Sequence, residues 1–388
     1  MDIQKIFISS GEASGDSYAS LLIKEIKDIN QNIQIFGMGG TLSRSAGMNT
    51  IVDSEDNASV MGFFLALASL KKILKNLNTI KTWLKKEKPN AIILIDFPDF
   101  NFQIAKYAKK LNIRVYYFIP PQVWAWRKGR VKFLKKYISH AVVIYPFEEK
   151  FYKDCGFDRI SFLGHPFLDE FEKSLKLTDK EKKEKIISWG LDPDLPIVSI
   201  FPGSRKHEIN DYLNLCLDVF SDLKEKHETL QGIISVAPNF EIEEIENKVA
   251  NIKNLESIKI IKGDAVSIMQ CSKAGLQKSG TNNFQACIAR LPFLMFYSAS
   301  KLTEFILKRL LLISEFSIVN ILRPHTVKEF IQENLTKENL KDELERLLFD
   351  TEYRNIMLDN FSEIKESFKY DDSKNTARKA AQIFLAEK

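Results

Sequence analysis

Short apolar runs alternate with amphipathic ones along the first half of the chain. Residues 3–8 read as a strand, and residues 18–26 carry apolar positions at helical spacing. Residues 32–37, 91–95, 114–119 and 141–144 are further strand candidates, with helical patterns between them. The run 91–95 is continuously apolar, as a strand buried on both faces should be. This alternation predicts a parallel sheet with helices on both faces. A second series starts at Ile197, with strands expected at 197–201, 231–236, 257–261, 274–277 and 293–297. From Thr326 onward the pattern predicts charged amphipathic helix. Between the two series, residues 170–185 shift to Lys, Glu and Asp, which marks a boundary. The expectation is an α/β protein of two Rossmann-like domains, 1–170 and 171–350, facing each other across a cleft.

The chemically distinctive residues fall at the carboxyl ends of the expected strands, where open parallel sheets bind ligands. Ser9-Ser10-Gly11-Glu12-Ala13-Ser14-Gly15-Asp16 joins the first strand to its helix. Gly11 and Gly15 permit a tight turn and a close approach, and the helix start offers unpaired N–H groups. The stretch is neither GxGxxG nor a P-loop. It is either a capped turn, with Ser14 or Asp16 near the N-cap, or one wall of a ligand site with Glu12 and Asp16 as polar contacts. A second glycine turn, Lys278-Ser279-Gly280-Thr281, precedes a helical pattern, and Pro202-Gly203-Ser204-Arg205 ends a strand of the same series. Ser279, Gly280 and Thr281 suit phosphate oxygens, and the Arg205 fork suits a diphosphate. Together they point to a nucleoside diphosphate, against the alternative of one capped turn and one surface arginine. No carboxylate pair stands in a loop of this half where it would hold Mg²⁺. The expected chemistry is therefore free of metal and cofactor, with the helix dipole and Arg205 stabilising a leaving diphosphate.

Asp96 follows the apolar run 91–95 directly, with Asp99 close behind. Partial burial there would raise a carboxyl towards the pKa of a useful base; the alternative is a helix cap or a lysine partner. His165 stands alone and reads as structural, since no HExxH or Ser/His/Asp order surrounds it. Trp124-Ala125-Trp126-Arg127 reads as a substrate-lining loop after Pro120-Pro121, because its basic run is too short for a nucleic-acid groove. The apolar residues 61–70 run into Lys71, Lys72 and Lys75. That helix either lies in a membrane interface or is buried against the sheet.

Composition narrows the partners. The net charge of +5 over 388 residues is mild, which argues against a dedicated nucleic-acid binder and suits an anionic substrate or membrane face. The four cysteines form no CxxC, so reduced thiols are expected. The N-terminus has no basic leader, and no apolar run reaches the ~18 residues of a membrane span.

Taken in order, these segments resemble the lipid-A-disaccharide synthase family. The resemblance rests on Ser10–Asp16, Val60-Met61-Gly62, Ile95-Asp96-Phe97-Pro98-Asp99-Phe100-Asn101, Val123-Trp124-Ala125-Trp126-Arg127, Pro146-Phe147-Glu148, Phe162-Leu163-Gly164-His165, Pro202–Arg205, Ser279-Gly280-Thr281 and Asn320. It implies a GT-B glycosyltransferase whose final helices, 351–388, cross back to the first domain. It implies an inverting reaction of UDP-2,3-diacylglucosamine with 2,3-diacylglucosamine 1-phosphate (lipid X), giving the disaccharide 1-phosphate and UDP. Asp96 would be the base. Gly11, Glu12, Ser14, Gly15, Asp16, Asp99, Trp124 and Arg127 would line the acceptor side. Arg205, Ser279, Gly280, Thr281, Gln285 and Asn320 would surround UDP. The family implies a peripheral enzyme on the cytoplasmic face of the inner membrane, touching its lipids, with a homodimer left open. The chain departs from the family pattern at Leu65, Gln122, Gln285, Ser298 and Val319. These changes bear on donor affinity and sugar recognition more than on reaction type. Two other readings share the pattern: a different UDP-sugar transferase or epimerase, and a non-catalytic binder of nucleotide sugars or acylated lipids.

Overall fold

The computed structural model describes residues 4–55, 63–125, 128–175, 177–238, 240–249, 255–299, 315–369 and 375–386. The chain divides into two compact units. One comprises residues 1–169 and 368–388, the other residues 170–367. The helix Thr351–Ser367 therefore stays with the second unit, and only the last helix, Thr376–Ala386, joins the first.

The first unit holds strands β1 (Lys5–Ser10), β2 (Gln34–Gly39), β3 (Asn49–Asp53), β4 (Ala91–Ile95), β5 (Arg114–Phe118), β6 (His140–Val143) and β7 (Ile160–Phe162). They form one parallel sheet in the order β3-β2-β1-β4-β5-β6-β7. Side chains alternate between its faces, as strand geometry requires. Ile6 and Ile8 pack with Leu22, Ile23 and Ile26 of the helix Ala13–Ile29 and with Ala380, Ala381 and Phe384 of the last helix. Phe7, between them, meets Trp83 of the helix Phe63–Glu87, ring centroids 5.4 Å apart.

The second unit holds β8 (Ile197–Phe201), β9 (Gln231–Val236), β10 (Ile258–Lys262), β11 (Ala274–Lys278), β12 (Phe293–Tyr297) and β13 (Glu329–Ile331). These are also parallel, in the order β10-β9-β8-β11-β12-β13. The edge strands β3 and β13 escape sequence reading. Three to five residues show no clear period, and β13 interrupts a stretch whose charges predict helix.

Both sheets reverse their winding once. In the first, β1 leads outward to β2 and β3, then the chain returns to β4 beside β1. In the second, β8 and β11 flank the reversal in the same way. The loops after those strands diverge and leave a crevice at the sheet's carboxyl edge. They are the loops that carry Ser10–Asp16 and Asp96–Asn101, and Pro202–Arg205 and Ser279–Thr281.

Candidate active site

Asp96 stands immediately past β4, half-buried, in the left-handed region at φ 45°, and Phe97 follows at φ 48°. Two consecutive non-glycine residues in that conformation are costly, at about 1–3 kcal/mol each and more for Phe97 than for Asp96, and persist only when the surroundings fix them. Here they do. Asn101 Nδ2 donates to the Asp96 carbonyl (2.7 Å) and to the Ile95 carbonyl (3.2 Å), and Tyr117 Oη donates to the same Asp96 carbonyl (2.8 Å). Ser9 Oγ, from the neighbouring strand, donates to Asn101 Oδ1 (2.6 Å). Pro98 starts the next helix, where a missing N–H costs nothing. Gly11 completes the turn: a Cβ there would lie 2.2 Å from the Phe97 ring. The two loops at the first switch point are thus fitted to each other.

Burial pushes the Asp96 carboxyl above its ordinary range, and the nearby Glu12 carboxylate adds to this, while the Phe97 N–H works against it. A half-buried carboxylate of raised pKa at a switch point is a candidate general base. Glu12 is exposed at the N-cap of the helix Ala13–Ile29 without capping it, so its carboxylate faces solvent near Asp96. Ser14 is exposed in that helix's first turn, and Gly15 packs beneath it against Ser10 and Ile95.

Asp16 is engaged within its own unit. It is 5% exposed, and its oxygens accept from the N–H groups of Gly40 (2.8 Å), Leu42 (2.9 Å) and Ser43 (3.2 Å) and from the Ser43 hydroxyl. It thereby caps the short helix Thr41–Ser45. Asp99 is exposed and paired with Arg130. Trp124 is 7% exposed, and its indole N–H donates to Glu148 Oε1 (2.8 Å). Glu148 also accepts from the N–H of Tyr145 (3.0 Å), and burial pushes its carboxyl up to about 7 against those hydrogen bonds. Arg127 and Met61-Gly62 lie outside the described residues, as do the side chains of residues 63–70. His165 is buried among Tyr18, Tyr145 and Phe368, and burial drives its pKa down to about 3. A neutral imidazole so placed is a packing residue, as its isolation in the sequence suggested.

At the second switch point the Arg205 guanidinium is exposed at the N-cap of the helix Lys206–Lys226. Among the described residues it has no ion pair. Across the reversal, Ser279 and Gly280 lead into the helix Thr281–Ile288, with Gly280 and Thr281 exposed and Ser279 half-buried. Gln285, also half-buried, follows Thr281 by one turn on the same helix face. Asn320 lies beyond these turns, ahead of β13. It is 3% exposed, and its amide is engaged with both backbone groups of Val327 (2.9 Å each) and with Glu329 Oε1 (2.7 Å). It braces the start of β13. Ser298, the departure after β12, meets the Tyr212 hydroxyl through its backbone N–H (2.9 Å).

Three supporting residues were missed in the sequence. Asn101 was visible within its motif but had no assigned task. Tyr117 could not be paired with Asp96 before the sheet order was known. Glu208, three residues after Arg205, fits the spacing of a residue that reaches back to a helix N-cap, and that signal was available.

Two parallel-sheet Rossmann-like domains with polar turns at both switch points define a protein of GT-B type. Solved structures agree on the fold. UDP-GlcNAc 2-epimerase from Neisseria meningitidis aligns over 95% of this chain and 100% of its own, with TM-score 0.62 at 13% identity. The calicheamicin glycosyltransferase aligns over 100% and 99%, with TM-score 0.63 at 13% identity. At the level of sequence the match is to one family. The profile of lipid-A-disaccharide synthetase covers residues 6–384. The lipid-A-disaccharide synthase of Coxiella burnetii (strain Dugway 5J108-111) is 31% identical over 99% of this chain and 98% of its own length, and that of Geobacter metallireducens is 35% identical over 89% and 88%. The chain belongs to the lipid-A-disaccharide synthase family.

Proposed function

We propose that this chain is a working glycosyltransferase that joins UDP-2,3-diacylglucosamine to 2,3-diacylglucosamine 1-phosphate and releases UDP. The acceptor's 6-hydroxyl attacks the donor's anomeric carbon as Asp96 removes its proton. The bond from that carbon to the diphosphate breaks, and UDP leaves with its electron pair. Arg205 and the helix start at Ser279–Thr281 stabilise the negative charge that accumulates on the diphosphate. The observation that carries this reading is the Asp96 turn, held in a strained conformation by the side chains of Asn101, Tyr117 and Ser9 and by the close approach of Gly11, in a family whose reaction requires a base. Incubation with both acylated substrates and mass detection of the disaccharide tests it. A product at the disaccharide mass is expected; UDP release without sugar transfer, or no reaction, overturns it.

Arg205 is the donor-side group with the plainest expectation. Arg205→Ala weakens UDP binding by about 1–3 kcal/mol, the scale of a charge-assisted hydrogen bond. Titration calorimetry with UDP reads this directly, and an unchanged affinity removes Arg205 from the site.

No described helix is long and apolar enough to cross a membrane. The acyl chains of both substrates nonetheless require access to lipid. We assign that contact to the start of the helix Phe63–Glu87, where Lys71, Lys72 and Lys75 succeed an apolar run, on the cytoplasmic face of the inner membrane. Replacing Phe63 and Phe64 with Ser is expected to shift the protein from pelleted anionic vesicles to the supernatant. Undiminished pelleting returns the segment to the core.

A further inference from the structure

We propose that Glu208 and Lys278 form one positioning device that locks the two donor-side turns of the second unit to each other. This deepens the donor-site reading above and rests on it. The β8–β11 ladder ends at Phe201 and Gln277, so the turns beyond it are no longer tied by backbone pairing. Glu208 supplies a tie. Its Oε2 accepts from the N–H groups of Ser204 (2.8 Å) and Arg205 (3.2 Å), which fixes the first turn. Its Oε1 accepts from Lys278 Nζ (2.6 Å), the residue directly before Ser279.

The tie continues into the second turn. The Lys278 carbonyl accepts from Asn283 Nδ2 (3.2 Å), and Asn283 Oδ1 accepts from the Gly280 N–H (3.3 Å). The ring of Tyr297, at the end of β12, lies 5.6 Å from the ammonium. Gly203 makes room for the arrangement: it sits at φ +129°, and a Cβ there would fall 2.5 Å from Glu208 Oε2. Burial alone would raise the Glu208 carboxyl, but Lys278 and the two N–H groups outweigh it and hold it below the usual carboxylate range. The carboxylate is therefore charged at neutral pH.

The Glu208 side chain is 6% exposed and that of Lys278 16%. An ion pair that shielded contributes little net stability, because desolvation offsets its attraction. Its geometric effect is the larger one. It sets the distance between the Arg205 turn and the Ser279–Thr281 helix start, two groups that must reach the same diphosphate.

UDP titrations on the wild type, Glu208→Gln, Lys278→Met, the double variant and Lys278→Arg test this, with melting temperatures recorded alongside. Each of the first two changes is expected to weaken UDP about tenfold, and the double variant no more than either alone, because one device has already been lost. Lys278→Arg, which keeps a cation within reach of Glu208, is expected to stay within about threefold of wild type. Altered melting temperatures with unchanged UDP affinity would show a merely stabilising pair and overturn the proposal. Loss in Lys278→Met without loss in Glu208→Gln would make Lys278 a direct phosphate ligand and also overturn it, as would additive effects in the double variant. Should Glu208→Gln fail to fold, the two Lys278 variants carry the test: loss in Met with retention in Arg supports the device, and equal affinity in both opposes it. Arg205→Ala separates the two readings. If wild type binds no UDP, or Arg205→Ala binds it normally, the donor site itself is misplaced. If Arg205→Ala weakens UDP while the pair variants do not, only the pair's role falls.

Discussion

Asp96→Asn lowers kcat by about 10³-fold or more and leaves UDP affinity within about twofold, since the amide removes the proton acceptor and preserves its shape. The acceptor's hydroxyl is a weak nucleophile until its proton is removed, so the loss falls on the chemical step. The pH dependence follows from the direction of the shift. Asp96 is raised by burial and by Glu12, so kcat falls as pH drops through that raised value, at a higher pH than an ordinary aspartate would give. Glu148, at about 7, could impose a similar limb by protonation beneath Trp124. The limb that survives in Glu148→Gln belongs to Asp96. Normal turnover in Asp96→Asn would end the base assignment.

The same shift makes a stability claim. A folded-state pKa above the unfolded value means that the native state binds the proton more tightly. Stability therefore falls as pH rises from the unfolded value, near 3.8, through the raised one, and stays lower above it. At pH 8 the native state carries the cost of the buried charge, and Asp96→Asn removes it. The inactive variant is expected to melt at a higher temperature than wild type at pH 8, and the gain should shrink as pH is lowered. That pattern separates a functional carboxylate from a structural one, whose removal lowers the melting temperature.

The sheets were legible because strands buried on both faces, such as 91–95 and 197–201, are short apolar runs bounded by turn residues. Their carboxyl ends followed from the alternation of strand and helix, and the motif residues fell there. Individual side-chain tasks did not follow. Asp16, Trp124 and Asn320 are polar residues in or near glycine turns and motif loops, the kind expected to meet a ligand. Each also satisfies backbone or side-chain groups within its own unit, a task the sequence did not announce. Polarity at a strand end announces a need for hydrogen bonds without saying whose. Only the strand order, which puts β1 beside β4 and β8 beside β11, tells which loops are neighbours. The left-handed turn at Asp96 and Phe97 was hidden for a related reason. Phe97 disfavours that conformation, and the groups that impose it come from Asn101 in the following helix, from β1, from β5 and from the loop after β1.

Asn101→Leu is expected to destabilise the first unit by about 3 kcal/mol and to lower kcat about 10²-fold, while the donor side remains intact. Asn101 is fully buried, and its amide is engaged on both sides. Leucine fills a similar volume but leaves the Ser9 hydroxyl without its acceptor and deprives the Asp96 carbonyl of one of two donors. Tyr117 still holds that carbonyl, so the turn loosens rather than opens. A loosened turn lets Asp96 and Phe97 relax from the left-handed region, and the carboxylate moves from its line of approach. UDP affinity should be unchanged, because Arg205 and Ser279–Thr281 belong to the other unit. Tyr117→Phe removes only the second donor and should show the same pattern at smaller size. Denaturant titration and steady-state kinetics on the two variants decide the matter. If stability falls as expected while kcat stays at the wild-type value, Asn101 supports the fold alone, and the strained conformation of Asp96 is not what positions the base.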